Sequence, residues 1–345
     1  MRAFTVIPGV AGSACLEEVA EPEPSAGAVL ISAEAVGVCG TDREILAGHH
    51  GAAPPGRERL ILGHESLGRV VEAPAASGLE PGQPVVAIVR HPDPVPCRMC
   101  ARGAWDMCEN GRYTEHGIQG EHGFAAERYR VEPRFAVPVD PALGLLAVLV
   151  EPTSVVVKAW EHIERIAARA DLAPERVLVT GAGPVGLLAA LLAVQRGLEV
   201  HVLDRNQAGA KPRLVADLGA TYHTGDVDAV PPPDVVVECT GAAGLVVPAM
   251  RAARRNGIVC LTGVASGGRQ LPVDTAALGR EMVLENAVVF GSVNANRSHY
   301  ERAVAALARA DAAWLDRLIT RRLPFERARE ALAKRPGEVK TVLLF

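Results

Sequence analysis

The feature that most restricts how this 345-residue chain can fold is a glycine array set between a strand and a helix. In Arg176-Val-Leu-Val-Thr-Gly-Ala-Gly-Pro-Val-Gly186 an apolar, β-branched run passes through Gly181, Gly183 and Gly186 into the apolar stretch 185–196. Spaced G-x-G-x-x-G, the first glycine permits a tight turn, the second lets a pyrophosphate approach the backbone, and the third lets helix and strand pack closely. The helix start then offers free N–H groups to the phosphates. Apolar segments at 176–180, 200–204, 220–223, 234–239, 257–261 and 288–292 read as strands, with helical stretches such as 185–196 and 244–255 between them. That alternation predicts an α/β domain with a parallel sheet covered on both faces, with the strand number of a complete dinucleotide-binding fold. Asp204 ends the second strand, where a carboxylate accepts hydrogen bonds from an adenosine ribose and repels the 2′-phosphate of NADP. Arg205, Lys211 and Arg213 pull the other way, so the sequence is compatible with NAD or NADP.

A chain of this length exceeds one ordinary core. Up to about residue 150 it reads as short strands (2–7, 28–36, 68–71, 84–89) punctuated by proline and glycine, which predicts a strand-rich, barrel-like domain. After residue 293 come helical stretches at 301–310 and 326–333 and a closing strand at 339–344, a tail expected to return to the first domain. A nucleotide domain inserted in this way would put its ligand in a cleft. The formal net charge is only −4 with 22% charged residues, which speaks against nucleic acid or an anionic membrane as partner and for a small molecule. The apolar runs 143–150 and 185–194 are too short to cross a bilayer, and no basic-then-apolar leader is visible, so a cytoplasmic protein is expected. Seven cysteines, three of them crowded between 97 and 108, point to metal binding ahead of disulfides.

Two glycine-flanked segments carry metal-ligand chemistry: Gly37-Val-Cys-Gly-Thr-Asp42 and Leu62-Gly-His-Glu-Ser66. Thiol, imidazole and carboxylate are all zinc ligand types. A catalytic zinc takes three of them and keeps a fourth place open, which fits Cys39, His64 and one carboxylate. Alone, Cys39 would more often be a small buried apolar residue and His64 a turn residue. A dinucleotide turn in the same chain shifts the balance towards the metal.

Together, G-V-C-G-T-D, G-H-E, a cysteine-rich lobe and a G-x-G-P-x-G turn resemble the zinc-containing medium-chain dehydrogenases over essentially the whole chain. The resemblance implies an α/β plus β architecture: a GroES-like β-barrel catalytic domain over 1–155, a Rossmann NAD(P)-binding domain over 156–292, and a return to the catalytic domain over 293–345. It implies Cys39 and His64 as zinc ligands, Glu65 as a ligand that exchanges with water, and Thr41 as the hydroxyl that receives the substrate proton. It extends the cofactor-lining set of Gly181, Gly183, Gly186, Asp204 and Arg205 to Pro184, Val185, Asn206, Thr262, Gly263, Val264, Ser292, Val293 and Asn294.

Finer details resemble the glucose and aldose 1-dehydrogenases of that family. Glu151, in Val150-Glu-Pro-Thr-Ser154, stands where simple alcohol dehydrogenases have a third cysteine ligand, although a glutamate at a helix start is also favoured by the dipole alone. The segments Cys108-Glu-Asn-Gly-Arg-Tyr-Thr-Glu-His-Gly117 and Ser292-Val-Asn-Ala295 are similar to glucose dehydrogenase segments, implying that Glu115 and Asn294, with Thr41 and Glu151, hold the sugar. The family's structural-zinc lobe reads C-x2-C-x2-C-x7-C, whereas here Cys97, Cys100 and Cys108 are the last three and Pro94 replaces the first. Asp93 or His91 is expected to complete the site, or the lobe binds no metal. The relay histidine of alcohol dehydrogenases is Glu44 here, with His49 and His50 nearby. The implied activity is oxidation of a sugar hydroxyl to a lactone by Zn2+ with NAD or NADP. A polyol, cyclitol or other secondary-alcohol dehydrogenase giving a ketone, and a non-catalytic NAD(P)-binding sensor, are the alternatives. A zinc-free quinone reductase would have no need for Cys39 and His64-Glu65 together. A homodimer or homotetramer is the family expectation.

Overall fold

The strand Val29–Val38 is the spine of the first unit. Its run of valine, isoleucine and alanine is buried on both faces at most positions, the pattern of a central strand. It pairs antiparallel with Glu65–Glu72, Arg128–Val131 and Lys340–Leu344. The full seven-stranded sheet runs Ala136–Pro138, Pro84–Ala87, Glu65–Glu72, Val29–Val38, Lys340–Leu344 and Ile319–Pro324, with Arg128–Val131 attached to the spine. Two three-stranded sheets accompany it: Cys15–Glu18, Arg2–Val6, Leu60–Ile61; and Arg90–His91, Thr114–His116, Gly120–Glu121.

The computed structural model describes residues 1–264 and 271–345 and divides them into two units, Met1–Ser154 with Asn294–Phe345, and Val155–Val293. Within the tail the helices are Arg297–Ala308 and Ala312–Leu318, the second of them not expected, and the stretch 326–333 holds only a single 3-10 turn, Phe325–Arg327, and the short helix Ala328–Ala331. The strand Ile319–Pro324 was not expected. Its sequence, ITRRLP, places two arginines and a proline in an edge strand, where charge and missing donors are tolerated but β-pattern is lost.

The second unit is a six-stranded parallel sheet ordered Thr221–His223, Glu199–Leu203, Arg176–Thr180, Val235–Glu238, Ile258–Leu261, Val288–Gly291. In sequence order this is 3-2-1-4-5-6, so the connection reverses beside Arg176–Thr180, where dinucleotides bind in such sheets. Leu178, Leu203, Val236 and Val259 are at most 3% exposed and form its core with Val227, Val230 and Ala249. The helix Pro184–Val194 is buried from Gly186 to Ala193. Gly186 cannot be replaced there, since a Cβ would lie 1.8 Å from the carbonyl oxygen of Gly181. This is the close helix-to-strand approach that the third glycine of the array provides.

One expectation about apolar runs needs correction. The run 143–150 does not stop: it continues into the helix Val150–Ala168, giving a 28-residue stretch, Pro141–Ala168, long and apolar enough by composition to cross a membrane. Its apolar window is 78% buried within the protein, as in a core helix.

Candidate active site

Cys39 follows the spine strand and is the N-cap of the helix Gly40–Leu46. A capping box forms there, in which the Asp42 carboxylate accepts the Cys39 N–H at 2.8 Å. The other Asp42 oxygen, Oδ1, faces His64 Nδ1 at 3.4 Å, short of hydrogen-bond alignment, so both atoms are buried without a well-aligned partner. Glu65 lies opposite Gly37 in the sheet register. A Cβ on Gly37 would come within 1.9 Å of Glu65 Oε2, so the bare backbone leaves the space that the carboxylate occupies. The Cys39 sulfur, a His64 nitrogen and a Glu65 oxygen thus lie within 4.8 Å of one another, with His64 and Glu65 buried.

Lys340, which sequence reasoning missed, completes this cluster. Its ammonium is 2% exposed and donates to Glu65 Oε1 at 2.6 Å, Oε2 at 2.5 Å and the Val38 carbonyl at 3.3 Å. Burial would push the Lys340 ammonium down, but the charges of Glu65 and Cys39 outweigh it and hold it above the usual lysine value. His64 behaves alike: burial disfavours its cation, yet Asp42 and Cys39 hold it well above the usual imidazole range. Burial would raise Asp42, and the His64 charge, together with the bond from the Cys39 N–H, brings it below the usual carboxylate range. A thiol, an imidazole and a carboxylate converging in a buried pocket, with a buried His64 nitrogen not fully engaged, is a donor set that fits Zn2+.

Glu151 enters on the first turn of Val150–Ala168. Part of the residue touches solvent, but its carboxyl is enclosed by protein, and the burial of that group governs its chemistry. Burial pushes it up to about 7, with His64 and Lys340 lowering it and Glu65 and Asp42 raising it. Its carboxylate is not part of the 4.8 Å group. Thr41 sits half-buried on the same short helix as Asp42.

Glu115 and Asn294, 179 positions apart, are brought together: Asn294 Nδ2 donates to Glu115 Oε1 at 2.6 Å. Asn294 holds a left-handed backbone, φ 61°, which asparagine tolerates, and its Oδ1 accepts the Ala295 N–H at 2.8 Å. A second residue missed in the sequence, Arg90, anchors the pair. Its Nε and Nη2 donate to the same Glu115 oxygen at 3.0 and 2.9 Å, Nη1 donates to the Asp106 carbonyl at 3.2 Å, and its guanidinium lies 3.7 Å from the Tyr113 ring centre. No motif marks Arg90, since one arginine at a strand end reads as surface charge.

In the second unit the expected cofactor residues follow the C-terminal ends of four parallel strands: Gly181 after Thr180, Asp204 after Leu203, Thr262 after Leu261 and Ser292 after Gly291. Pro184 and Val185 open the helix after the glycine turn. Asp204 is already engaged. Oδ2 accepts from the Ala182 N–H at 2.8 Å and Lys211 Nζ at 3.0 Å, and Oδ1 from the Asn206 N–H at 2.9 Å and Asn206 Nδ2 at 2.5 Å. Burial would raise its carboxyl, and these bonds bring it below the usual range. Arg205 is exposed. Thr262 Oγ1 and the Gly263 N–H both donate to the Glu238 carbonyl, at 2.7 and 3.0 Å, while Val264 and Val293 stand 71% and 52% exposed. The Val293 carbonyl accepts from the buried Lys158 at 2.9 Å, and the Ser292 hydroxyl is buried without a partner.

The three lobe sulfurs, Cys97, Cys100 and Cys108, also cluster within 4.8 Å, but neither Asp93 nor His91 joins them. Asp93 Oδ1 accepts the Val95 N–H at 2.8 Å and its Oδ2 accepts from Asn110 at 2.8 Å and Arg112 at 3.1 Å. His91 Nε2 faces His116 Nε2 at 3.2 Å.

A 3-2-1-4-5-6 parallel sheet after a strand-rich unit, with a thiol-imidazole-carboxylate cluster in the latter, defines the medium-chain dehydrogenase class. Residues 25–141 match the family model described as alcohol dehydrogenase GroES-like domain, and residues 144–345 that described as glucose dehydrogenase C-terminus. Among relatives, the glucose 1-dehydrogenase of Thermoproteus tenax is 41% identical, and that of Methanocella arvoryzae 38%, each over 99% of both chains. The glucose dehydrogenase of Haloferax mediterranei, solved in complex with NADP, Zn and gluconolactone, superposes with a TM-score of 0.93 at 32% identity, covering 100% of this chain and 99% of that one. The chain belongs to the glucose dehydrogenase family of the zinc-containing medium-chain dehydrogenases.

Proposed function

We propose that this protein is a zinc-dependent NAD(P) dehydrogenase that oxidises the anomeric hydroxyl of an aldose, glucose first among them, to the lactone. The observation that carries the sugar reading is the Glu115–Asn294 pair, held by Arg90. All three hydrogen bonds to the Glu115 carboxylate fall on Oε1. Oε2 is thereby left as an acceptor and the Asn294 amide as a donor for vicinal hydroxyls, the fixed polar pattern that separates a sugar from water. The relatives named as glucose 1-dehydrogenases agree with it.

Cys39 and His64, with Glu65 or Glu151 as carboxylate, would hold the ion, and bound Zn2+ supplies Lewis acidity that lowers the pKa of the sugar hydroxyl. Thr41 would accept the hydrogen bond of the sugar hydroxyl and relay its proton outward, releasing its own hydroxyl proton towards solvent as it takes the sugar's, and a bound oxidised nicotinamide would supply the acceptor for the C1 hydride. Glu151, pushed up to about 7, is matched to taking and releasing a proton near neutral pH. Lys340 donates to both Glu65 oxygens and so competes with the ion for them, which suits a carboxylate that exchanges.

For the cofactor we infer use of NADP as well as NAD. Lys211 neutralises the Asp204 charge that would repel a 2′-phosphate, and Arg205 is exposed to receive one. We also infer a homodimer or homotetramer, supported by the edge strand Val288–Gly291 and by Val283 and Leu284, 77% and 62% exposed on the helix before it. A cytoplasmic setting agrees with seven cysteines, none paired.

The test is a panel of aldoses, polyols and alcohols run with both cofactors and followed by product analysis. Reduction of NAD(P)+ by glucose or another aldose with a lactone product is expected. Ketone formation from polyols, with aldoses inert, would replace this reading by that of a polyol dehydrogenase, and cofactor binding without turnover of any substrate would replace it by that of a sensor.

A further inference from the structure

Around the three lobe sulfurs, the local chain explains their convergence. Cys97 caps the helix Arg98–Ala101, and its sulfur accepts the N–H groups of Cys100 and Glu109, each at 3.4 Å, bonds that orient a sulfur for metal ligation. Cys100 is buried, while Cys97 and Cys108 are half-buried, so solvent reaches the cluster. A thiophilic divalent ion in a tetrahedral site needs four donors. Each nearby candidate for the fourth is engaged elsewhere. Asp93 is held by Val95, Asn110 and Arg112. Glu109 is held by Arg98, whose Nε and Nη2 lie 2.8 and 2.6 Å from its Oε1. His91 faces His116 and stacks on Phe135 with ring centres 3.7 Å apart. Among the described residues no carboxylate or imidazole joins the three sulfurs.

We propose that Cys97, Cys100 and Cys108 form a three-thiolate metal site whose fourth coordination position is filled from solution, so that the lobe holds a thiophilic divalent ion and accepts water or a small thiol as its outer ligand. Structural zinc sites are closed by four protein ligands, whereas an open fourth position is the mark of sites that bind exogenous ligands. A thiol RSH would enter as RS−, releasing its proton to solvent and displacing the water. No sulfur changes oxidation state.

Cadmium is the probe, because each Cd–thiolate bond adds to an ultraviolet charge-transfer absorption. The full-length protein, stripped of metal and titrated with Cd2+, is expected to show a strong band that is clearly weaker in the Cys108→Ser protein, which keeps the contribution of Cys39 and whatever Cys97 and Cys100 still bind as a pair. In the Cys39→Ala protein, where the lobe is the remaining cysteine cluster, mercaptoethanol is expected to raise the cadmium band by about one third as three sulfurs become four. Should Cys39→Ala not fold, the same rise is read from the difference between wild type and Cys108→Ser. A wild-type band no larger than that of Cys108→Ser means a metal-free lobe, and a band unmoved by added thiol means a fourth protein ligand. Either result overturns the proposal.

Discussion

Lys340 determines what Glu65 can do. A carboxylate that is 1% exposed beside a cluster of ligands must be neutralised, and without a metal the ammonium does this. Lys340→Met leaves that charge to the ion alone. The metal-free variant is expected to lose about 3 kcal/mol, the scale for removing one partner of a buried pair, and zinc to restore most of it. Thermal melts with and without zinc check this: a wild-type gap between the two melts would show that the pair carries no such charge. Arg90 has the parallel role at the sugar-binding pair. Arg90→Gln is expected to raise KM for the sugar about tenfold or more, the worth of charge-assisted bonds, while KM for NAD(P) stays unchanged. Steady-state kinetics with each substrate varied in turn separates this from general damage, which would move both.

Among the elements, the spine strand is held open at Gly37 for Glu65. Gly37→Ala would put a methyl 1.9 Å from Glu65 Oε2, displacing a carboxylate that is pinned on its other side. The expected outcome is intact circular dichroism with at least a tenfold fall in kcat/KM, since small displacements at a reacting centre carry costs of that order. Activity like that of wild type would show the glycine to be dispensable. Much of the architecture was legible because it rests on local rules: the glycine turn and apolar alternation mark the parallel sheet, and Cys39 with His64-Glu65 marks the cluster. Lys340, Arg90 and the strand Ile319–Pro324 were not legible. Their meaning lies in partners far along the chain, such as Lys340 with Glu65 at a separation of 275 residues, and an arginine-rich edge strand has no apolar period to detect. The lobe failed differently. Asp93 has the right chemistry and spacing for a fourth ligand, but Asn110 and Arg112 claim its oxygens, which no motif records.

For the whole molecule, buried histidines set the acid limit. Burial lowers His116 to about 4 and His91 to about 2. His116 Nδ1 donates to the His122 carbonyl at 2.6 Å, so its Nε2 is the acceptor for His91 Nε2–H, and a proton on His116 Nε2 would set two donors face to face. Both folded-state values lie below the unfolded one of 6.5, so the unfolded chain binds more protons below that pH. Stability is therefore lost as pH falls from 6.5 towards 4, by about 3 kcal/mol from His116 alone. Urea melts across that window check the slope, and His116→Phe is expected to flatten it. A slope unchanged in the variant would place the acid sensitivity elsewhere.

The pairing of Val29–Val38 with Lys340–Leu344 also dictates an order of assembly during synthesis. The stretch Val155–Val293 is contiguous and has all six strands of its sheet once the ribosome has passed it. The spine strand, made far earlier, must wait with an open edge until the last strand emerges, and Glu65 waits with it for Lys340. The half that would bind nucleotide can therefore mature while the half that carries the chemistry is still incomplete, and a ribosome that stalls before Lys340 releases a chain with a finished sheet and an unfinished pocket.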